Sequence, residues 1–243
     1  MISGKIPSKL LANVAQMAQG FSNKTLALRF EKEHMQVKMV DEGRVAMADI
    51  LVPASSIENY LCLGAEIVVV RTDKLFQSTR LGPNEVIEFD HDRKVPQFNM
   101  KIGRAKRKLP TFVLEGEDRK IPSLDLECSV VMPGSVMIDV VKKLDLLGGV
   151  MKMTCGHNGL SIRIGENLDE IELTVGADEA TVGGETQGVC QYDLGYLKPI
   201  VAFVEPDEAV ELSFQLNWPL RVRYTHSELG KIVGVVAPRV EEE

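Results

Sequence analysis

The sequence predicts an α+β protein built from two similar domains, each made of antiparallel sheets with two helices. Three observations predict this fold class. Apolar and polar residues alternate at a spacing of two through much of the chain, which is typical of half-buried strands. Four segments carry helical spacing instead. These helical segments recur at nearly equal intervals over the 243 residues, which indicates that one unit is present twice.

The predicted strands are runs in which every second side chain is apolar. Because such a run puts its apolar side chains on one face, each strand is expected to have one face in a core and the other in water. The clearest runs are Met35–Met39, Phe98–Ile102, Leu160–Ile164, Ile171–Val175 and Val210–Leu216.

The predicted helices have their apolar residues on one face and their charged residues on the other. The first and third begin 126 residues apart, at positions 7 and 133, and the second and fourth begin 121 residues apart, at positions 72 and 193. The order of helices and strands therefore occurs twice. The four helices are predicted over Pro7–Gly20, Thr72–Arg80, Pro133–Leu146 and Asp193–Val204.

A polar segment separates the two predicted domains. Leu114–Ser123 is charged and contains a glycine and a proline, which is typical of a linker. The run Asp118–Lys120 within it is interpreted as a solvated charged stretch. We therefore expect a first domain over residues 1–114, a connector over 115–125 and a second domain over 126–243.

Composition and charge exclude several classes of protein. Hydrophobic residues make up 44% of the chain and charged residues 26%, which argues against global disorder and supplies the material for cores. No apolar run approaches the roughly 20 residues of a membrane-spanning helix, and the first residues lack the pattern of a signal peptide. We expect a location inside the cell. The net charge of −7 means that any contact with nucleic acid must be local.

Metal-binding and redox motifs are absent from the sequence. The four cysteines and four histidines are scattered, with no C-x-x-C pair and no two histidines four residues apart. We interpret Cys62, Cys128, Cys155 and Cys190 as free thiols, and we expect neither a metal nor a cofactor.

Catalytic motifs are absent as well. The sequence contains no nucleophile elbow, phosphate-binding loop or zinc-protease motif, so no catalytic residue is predicted. The densest acid/base group is Asp90, His91 and Asp92, which lies between two alternating runs as a polar hairpin turn would. A small β-rich enzyme with its site at these three residues is the alternative from another functional class.

Six short segments have an order and spacing that together are specific, although each alone is weak. They are Asp41–Ile50, Pro53–Tyr60, Ile121–Cys128, Trp218–Val222, Leu229–Lys231 and Ala237–Glu243. In this order they resemble the proliferating-cell-nuclear-antigen (PCNA) family of DNA sliding clamps, over essentially the whole chain. The total length and the short acidic end are similar to archaeal members of that family.

The resemblance implies the DNA clamp fold, with three subunits closing into a ring whose helices line a hole for duplex DNA. It implies a processivity factor without catalytic residues, which tethers DNA polymerase and other replication and repair enzymes. The partners implied are a clamp loader, flap endonuclease and DNA ligase, docking through short peptide motifs. A homotrimer is expected; a subunit of a heterotrimeric or checkpoint-type clamp is the alternative. The site of action would be the cytoplasm, on the nucleoid, in an archaeon, and the nucleus in a eukaryote.

The helices expected to face DNA carry more positive charge than the rest of the chain. Their net charge is +2, which leaves −9 for the remaining residues. Even a modest basic lining attracts the phosphate backbone without fixing one register, as sliding requires. The expected DNA-binding residues are Lys9, Lys74, Arg80, Lys142, Lys143 and Lys198.

The resemblance also implies an apolar groove for partner peptides, which have a glutamine followed by an aliphatic and two aromatic residues. Arg119 and Val235 differ from the residues of some relatives, which leaves the shape of the groove open. The groove positions are Val40, Val45, Ile121, Pro219, Val235, Ala237 and Pro238.

Ring closure is expected to pair a strand near Lys106–Val113 with a strand near Glu170–Val175 of the next subunit. Such pairing would cover sheet edges that a monomer leaves open. The expected interface residues are Arg107, Lys108, Leu109, Thr111, Phe112, Glu172, Leu173 and Thr174.

Overall fold

The computed structural model of the chain describes residues 1–114, 121–166 and 169–239. These residues form two compact units. The first unit contains the described residues of 1–42, 49–114 and 227–231, and the second contains those of 43–48, 121–166, 169–226 and 232–239. Among the described residues, no helix is both long and apolar enough to cross a membrane.

The elements from β1 to β9 begin the chain. In order they are β1 Ile2–Pro7, α1 Ser8–Gly20, β2 Thr25–Phe30, β3 His34–Val40, β4 Ala46–Pro53, β5 Glu58–Cys62, β6 Glu66–Arg71, α2 Thr72–Thr79, β7 Val86–His91, β8 Gln97–Ile102 and β9 Ala105–Pro110.

The elements from β10 to β18 complete the described chain. In order they are β10 Cys128–Pro133, α3 Gly134–Leu144, β11 Val150–Gly156, β12 Gly159–Glu166, β13 Asp169–Val175, β14 Thr181–Gly183, β15 Cys190–Asp193, α4 Leu194–Val201, β16 Ala209–Phe214, β17 Leu220–His226 and β18 Gly230–Val236.

The two halves of the chain have the same order of elements and the same strand pairing. Each runs strand, helix, five strands, helix and three strands. In the first half β1 pairs with β5 and β7, β7 with β8, and β2 with β3 and β6, always antiparallel. The equivalent pairs β10 with β14 and β16, β16 with β17, and β11 with β12 and β15 form in the second half. The predicted fold class is therefore confirmed, including its duplication.

The predicted helices form at the expected places because each has one apolar stripe to bury. In α1 the buried residues include Leu10, Leu11, Val14 and Met17, while Lys9 on the opposite face is exposed. Helix α1 packs against α2, and α3 packs against α4.

Three helices end earlier than predicted: α2 by one residue, at Thr79, α3 by two residues and α4 by three. Helix α3 ends at Leu144 and is followed by a turn, which the Gly148 N–H closes by donating to the Leu144 carbonyl at 3.0 Å, with Gly148 at a positive φ of 64°. Helix α4 ends at Val201, shortly after Pro199, which has no N–H to extend the intrahelical ladder.

Strand β9 is an edge strand, paired only with β8 among the described residues of its sheet. The Thr111 N–H donates to the Pro96 carbonyl at 3.1 Å, in the register that places Lys108 opposite Asn99. Because hydrogen-bonded and open positions alternate along an antiparallel pair, Lys106 and Lys108 direct their backbone N–H groups away from β8. Pro110, which has no N–H, lies on this same unpaired side.

Strand β13 is the edge of the second unit's sheet, whose order is β13-β12-β11-β15. It pairs with β12 over its whole length, from Asp169 opposite Glu166 to Val175 opposite Leu160. Its other edge has no neighbouring strand among the residues that the structure describes.

Candidate nucleic-acid and partner interfaces

The predicted DNA-binding cations all lie on or at the end of the four helices. Lys9, Arg80, Lys142 and Lys143 are exposed, and Lys74 and Lys198 are half-buried. Within each unit the cations therefore lie on two helices that pack side by side. The structure places these residues on helix surfaces, and the contact with DNA stays a prediction.

Nearby aspartates neutralise part of this charge. The Arg71 side chain, which hydrogen-bonds Asp73, lowers the pKa of that carboxyl below its usual value, so Asp73 stays ionised. Three of the six cations have an aspartate partner: Lys74 with Asp73 at 3.8 Å, Lys143 with Asp139 at 2.6 Å and Lys198 with Asp145 at 2.5 Å.

The other three cations have no ion-pair partner within the part of the chain that the structure describes. The Arg80 guanidinium lies 4.7 Å from the centre of the Phe76 ring, a cation–π contact that leaves its charge in place. Lys9 and Lys142 are exposed. These three side chains are therefore the ones most available to phosphates.

The predicted interface residues around β9 fall into two groups. Lys108 is exposed and offers an outward backbone N–H, and Arg107 is half-buried. The Leu109 side chain is only 2% exposed, so it packs in the core of its own unit, and in this register its backbone N–H and carbonyl face β8. The Phe112 N–H is already used within the unit, since it donates to the Val69 carbonyl at 3.0 Å.

The two edge strands carry opposite charges. Strand β9 and the turn before it contain Arg104, Lys106, Arg107 and Lys108 in a row of five residues. The predicted interface residues Glu172 and Thr174 are exposed on β13, Leu173 between them is half-buried, and Asp169 and Glu170 are exposed next to them. Asp169 lies outside the strands that were predicted to pair, while Lys106 and Glu170 are the first residues of those strands. All three belong to like-charged runs that are visible in the sequence.

Most of the predicted groove residues are half-buried. These are Val40, Val45, Ile121, Pro219, Ala237 and Pro238. The structure brings two of them together, because the Ala237 N–H donates to the Val45 carbonyl at 2.7 Å. The Arg221 side chain fixes the segment after Ile121 by donating to the Leu124 carbonyl at 2.6 Å.

Val235 and Arg119 differ from the other residues considered for the groove. Val235 is only 6% exposed, so its side chain belongs to the core and could form at most the floor of a groove. Arg119, and the rest of the connector over residues 115–120, lie outside the described residues.

The structure does not assemble Asp90, His91 and Asp92 into one site. Asp90 accepts from the Asn99 side chain at 2.7 Å on the exposed face of β7, and Asp92 accepts from the Lys94 N–H in the turn. His91 points inward, with Nε2 3.2 Å from Glu66 and Nδ1 2.9 Å from the Gln97 carbonyl. The three side chains therefore serve a strand, a turn and a core contact.

The fold does bring together three cysteines that the sequence scatters. Cys128, Cys155 and Cys190 are buried in the second unit, and the Cys128 and Cys155 side chains are hydrogen-bonding neighbours. Burial raises the pKa of all three thiols, which keeps them protonated and unreactive. Cys62 in the first unit is only half-buried.

We expect a thiol-specific disulfide reagent to label one cysteine per chain quickly and the other three only after unfolding. The fast reaction should belong to Cys62, because the other thiols are buried and protonated. Absorbance of the released thiol, with and without denaturant, measures both counts. Cys62→Ser should remove the fast phase, and rapid labelling of that variant would contradict the assignment.

Folding also places Glu205, Glu208 and His226 together, with one ligand atom of each within 4.8 Å of the others. His226 is buried and its Nε2 lies 3.8 Å from a Glu205 carboxylate oxygen. This grouping, the one such His/carboxylate set within the described residues, joins a turn to the end of β17. Its spacing of 21 residues gave no signal in the sequence.

Comparison with known proteins places the chain among DNA clamps. No family model matches it. It is 26% identical over 223 residues to the DNA polymerase sliding clamp of Pyrococcus abyssi, covering 89% of each chain. It is also 24% identical to that of Thermococcus onnurineus, again over 89% of each chain.

Solved structures give the same result for the fold. The chain superposes with a TM-score of 0.89 and 20% identity on A. fulgidus PCNA, solved with the C-terminal region of FEN-1 bound, over 100% of both chains. Against the PCNA2–PCNA3 complex from Sulfolobus tokodaii the TM-score is 0.85 with 19% identity, over 99% of this chain and 100% of that one. The resemblance found in the sequence is thereby confirmed: the chain is similar to archaeal DNA polymerase sliding clamps over 89% of its length, and it has the fold of PCNA.

Proposed function

We propose that this protein is a DNA sliding clamp: a ring that encircles duplex DNA and tethers DNA polymerase and other replication and repair enzymes to it. The single observation that carries the proposal is the duplicated fold, in which each unit packs two cation-bearing helices together and two of the edge strands in the described chain, β9 and β13, carry opposite charges. Such a molecule needs no catalytic residue, because a closed ring stays on DNA by topology.

The two edges favour a ring made of identical subunits. A basic edge and an acidic edge on one chain allow copies to join head to tail, and a head-to-tail contact closes when its rotation fits. Three copies are what the family resemblance implies. In a heterotrimer the two edges of one chain would not have to complement each other, because each would face a different chain.

The partners proposed are those that the resemblance implies: DNA polymerase, flap endonuclease and DNA ligase, bound by short peptides at the groove, and a clamp loader that opens the ring. The relative solved with the C-terminal region of FEN-1 supports the flap endonuclease. The half-buried apolar residues of the groove support an aromatic-ended peptide, because aromatic anchors dominate affinity in such pockets.

The test is retention on DNA of different topology. Loaded by a clamp loader, the protein should stay on nicked circular DNA through gel filtration and be lost when the circle is cut by a restriction enzyme. It should also lengthen the products of a polymerase in a primer-extension assay. Equal retention on linear and circular DNA would show simple binding and overturn the clamp.

The proposal that the helices face DNA leads to a separate prediction about two neighbouring lysines of α3. Lys142→Glu should shorten polymerase products more than Lys143→Glu, because Lys143 is already paired with Asp139 while Lys142 has no ion-pair partner among the described residues. The double variant adds four negative charge units per subunit beside the phosphates and should have the largest effect. Primer extension across a salt series measures this, and the rings should remain intact.

Lys231→Glu on β18 is the matched control, since it changes the same charge on an exposed residue outside the helices. Equal products for Lys142→Glu and Lys231→Glu would show that α3 does not face DNA.

A further inference from the structure

The segment after β18, which carries the groove residues Ala237 and Pro238, is held from two sides. The Ala237 N–H donates to the Val45 carbonyl at 2.7 Å, and the Arg239 N–H donates to the Gln191 carbonyl at 2.8 Å. Pro238 between them has no N–H, and its ring restricts φ. The backbone of this wall of the groove is therefore fixed at alternate residues.

The side chain of Arg239 adds a third attachment. Its Nη2 donates to Asp193 Oδ2 at 2.7 Å, while Asp193 Oδ1 accepts from the Gly195 N–H at 2.9 Å and so caps α4. One carboxylate thus holds both the end of the described chain and the start of a helix. We call Arg239 and Asp193 the tail latch.

The two residues of the tail latch differ in exposure, and their ion pair lies at the surface. The Asp193 side chain is 23% exposed and is held on the helix by the Gly195 N–H, while the Arg239 side chain is 58% exposed and lies at the surface. Hydrogen bonds between ionised groups are stronger than neutral ones. Salt screens a pair at the surface, so the latch should weaken as ionic strength rises.

We propose that the tail latch positions the Ala237–Pro238 wall for partner peptides, so that Arg239 acts as a positioning residue rather than as a peptide contact. The proposal rests on the proposed function of the groove. A peptide that meets a preordered wall does not lose affinity to the cost of ordering it. Without the latch the wall would have to be ordered by each binding event.

The test uses Arg239→Ala and Asp193→Asn in the full-length protein. Asparagine is as good a helix cap as aspartate, so Asp193→Asn removes the charge without removing the cap. Calorimetry with a glutamine-led, aromatic-ended peptide should give a Kd about threefold to fivefold higher for either variant, the range of an exposed ion pair. The double variant should be no worse than either single one, and Arg239→Lys should recover part of the affinity.

A second readout, amide hydrogen exchange, needs no peptide. The Arg239 amide, protected by Gln191 in the parent, should exchange faster in both variants, while Lys231→Ala, the control for loss of one exposed cation, should change neither measurement. If the parent binds the peptide and both variants bind it as tightly as the parent, the latch proposal alone fails. If the parent binds no such peptide, the proposed peptide-binding function of the groove is wrong. The positioning role of Arg239 is then wrong as well, whatever the exchange rates are. Additive losses in the double variant would also overturn the proposal.

Discussion

Lys108→Pro is expected to convert rings into single chains. Lys108 directs its N–H away from β8, so a proline there leaves the β8–β9 pairing intact and removes a donor only from the free edge. A lost hydrogen bond costs about 0.5–1.5 kcal/mol, and the proline ring adds a steric penalty. Every interface of a ring loses the same donor, so the penalties accumulate around it. Sedimentation velocity should show one chain per particle instead of three.

Lys108→Ala is the matched control, because it removes the same side chain and keeps the N–H. It should leave most rings intact, with a smaller dependence of assembly on salt because one positive charge of the edge is gone. Circular dichroism and thermal melting should be alike for the two variants, which separates assembly from folding. Rings of Lys108→Pro with the stability of the parent would place the interface elsewhere.

Ile121→Asp is expected to abolish binding of a glutamine-led, aromatic-ended peptide. Ile121 is half-buried, and an aspartate there would lose its hydration without gaining a partner when an aromatic side chain covers it. Losses at the centre of an interface reach about 2 kcal/mol or more, which is roughly 30-fold in Kd. Titration calorimetry measures the loss.

The control for this variant is Ile138→Asp. Ile138 is an isoleucine on α3, outside the predicted groove and somewhat more exposed than Ile121, so the same change in chemistry is made away from the groove. It should bind the peptide like the parent, and both variants should still form rings. Equal affinity of Ile121→Asp and the parent would show that the groove lies elsewhere.

The helices and strands could be predicted because their signals are local. Leu10, Val14 and Met17 recur with helical spacing, and Phe98, Met100 and Ile102 alternate as a strand requires. These short-range patterns survive folding because each element buries the face that its sequence marks. The helix ends were less certain, since Gly148 and Pro199 act through backbone geometry.

The sequence predicts a site residue only where neighbouring positions along the chain reveal its role. It does not reveal the direction of a side chain or contacts between distant residues. Leu109 and Val235 were assigned to surfaces because the resemblance gives positions along the chain and not the direction of a side chain; both are buried. Asp193 and Arg239 are 46 residues apart and meet only through the fold. The convergence of Cys128 and Cys155 has the same origin.

Pro110 in β9 also limits what can pair with the free edge of this strand before a ring has closed. A strand with a free row of N–H and C=O groups invites pairing with any extended chain, and such pairing leads to aggregation. Lys106 and Lys108 surround the open donors with positive charge, and Pro110 ends the row after them. A clamp subunit that has not yet joined its neighbours is thereby protected from indiscriminate strand exchange, because this short edge repels basic strands and attracts acidic ones.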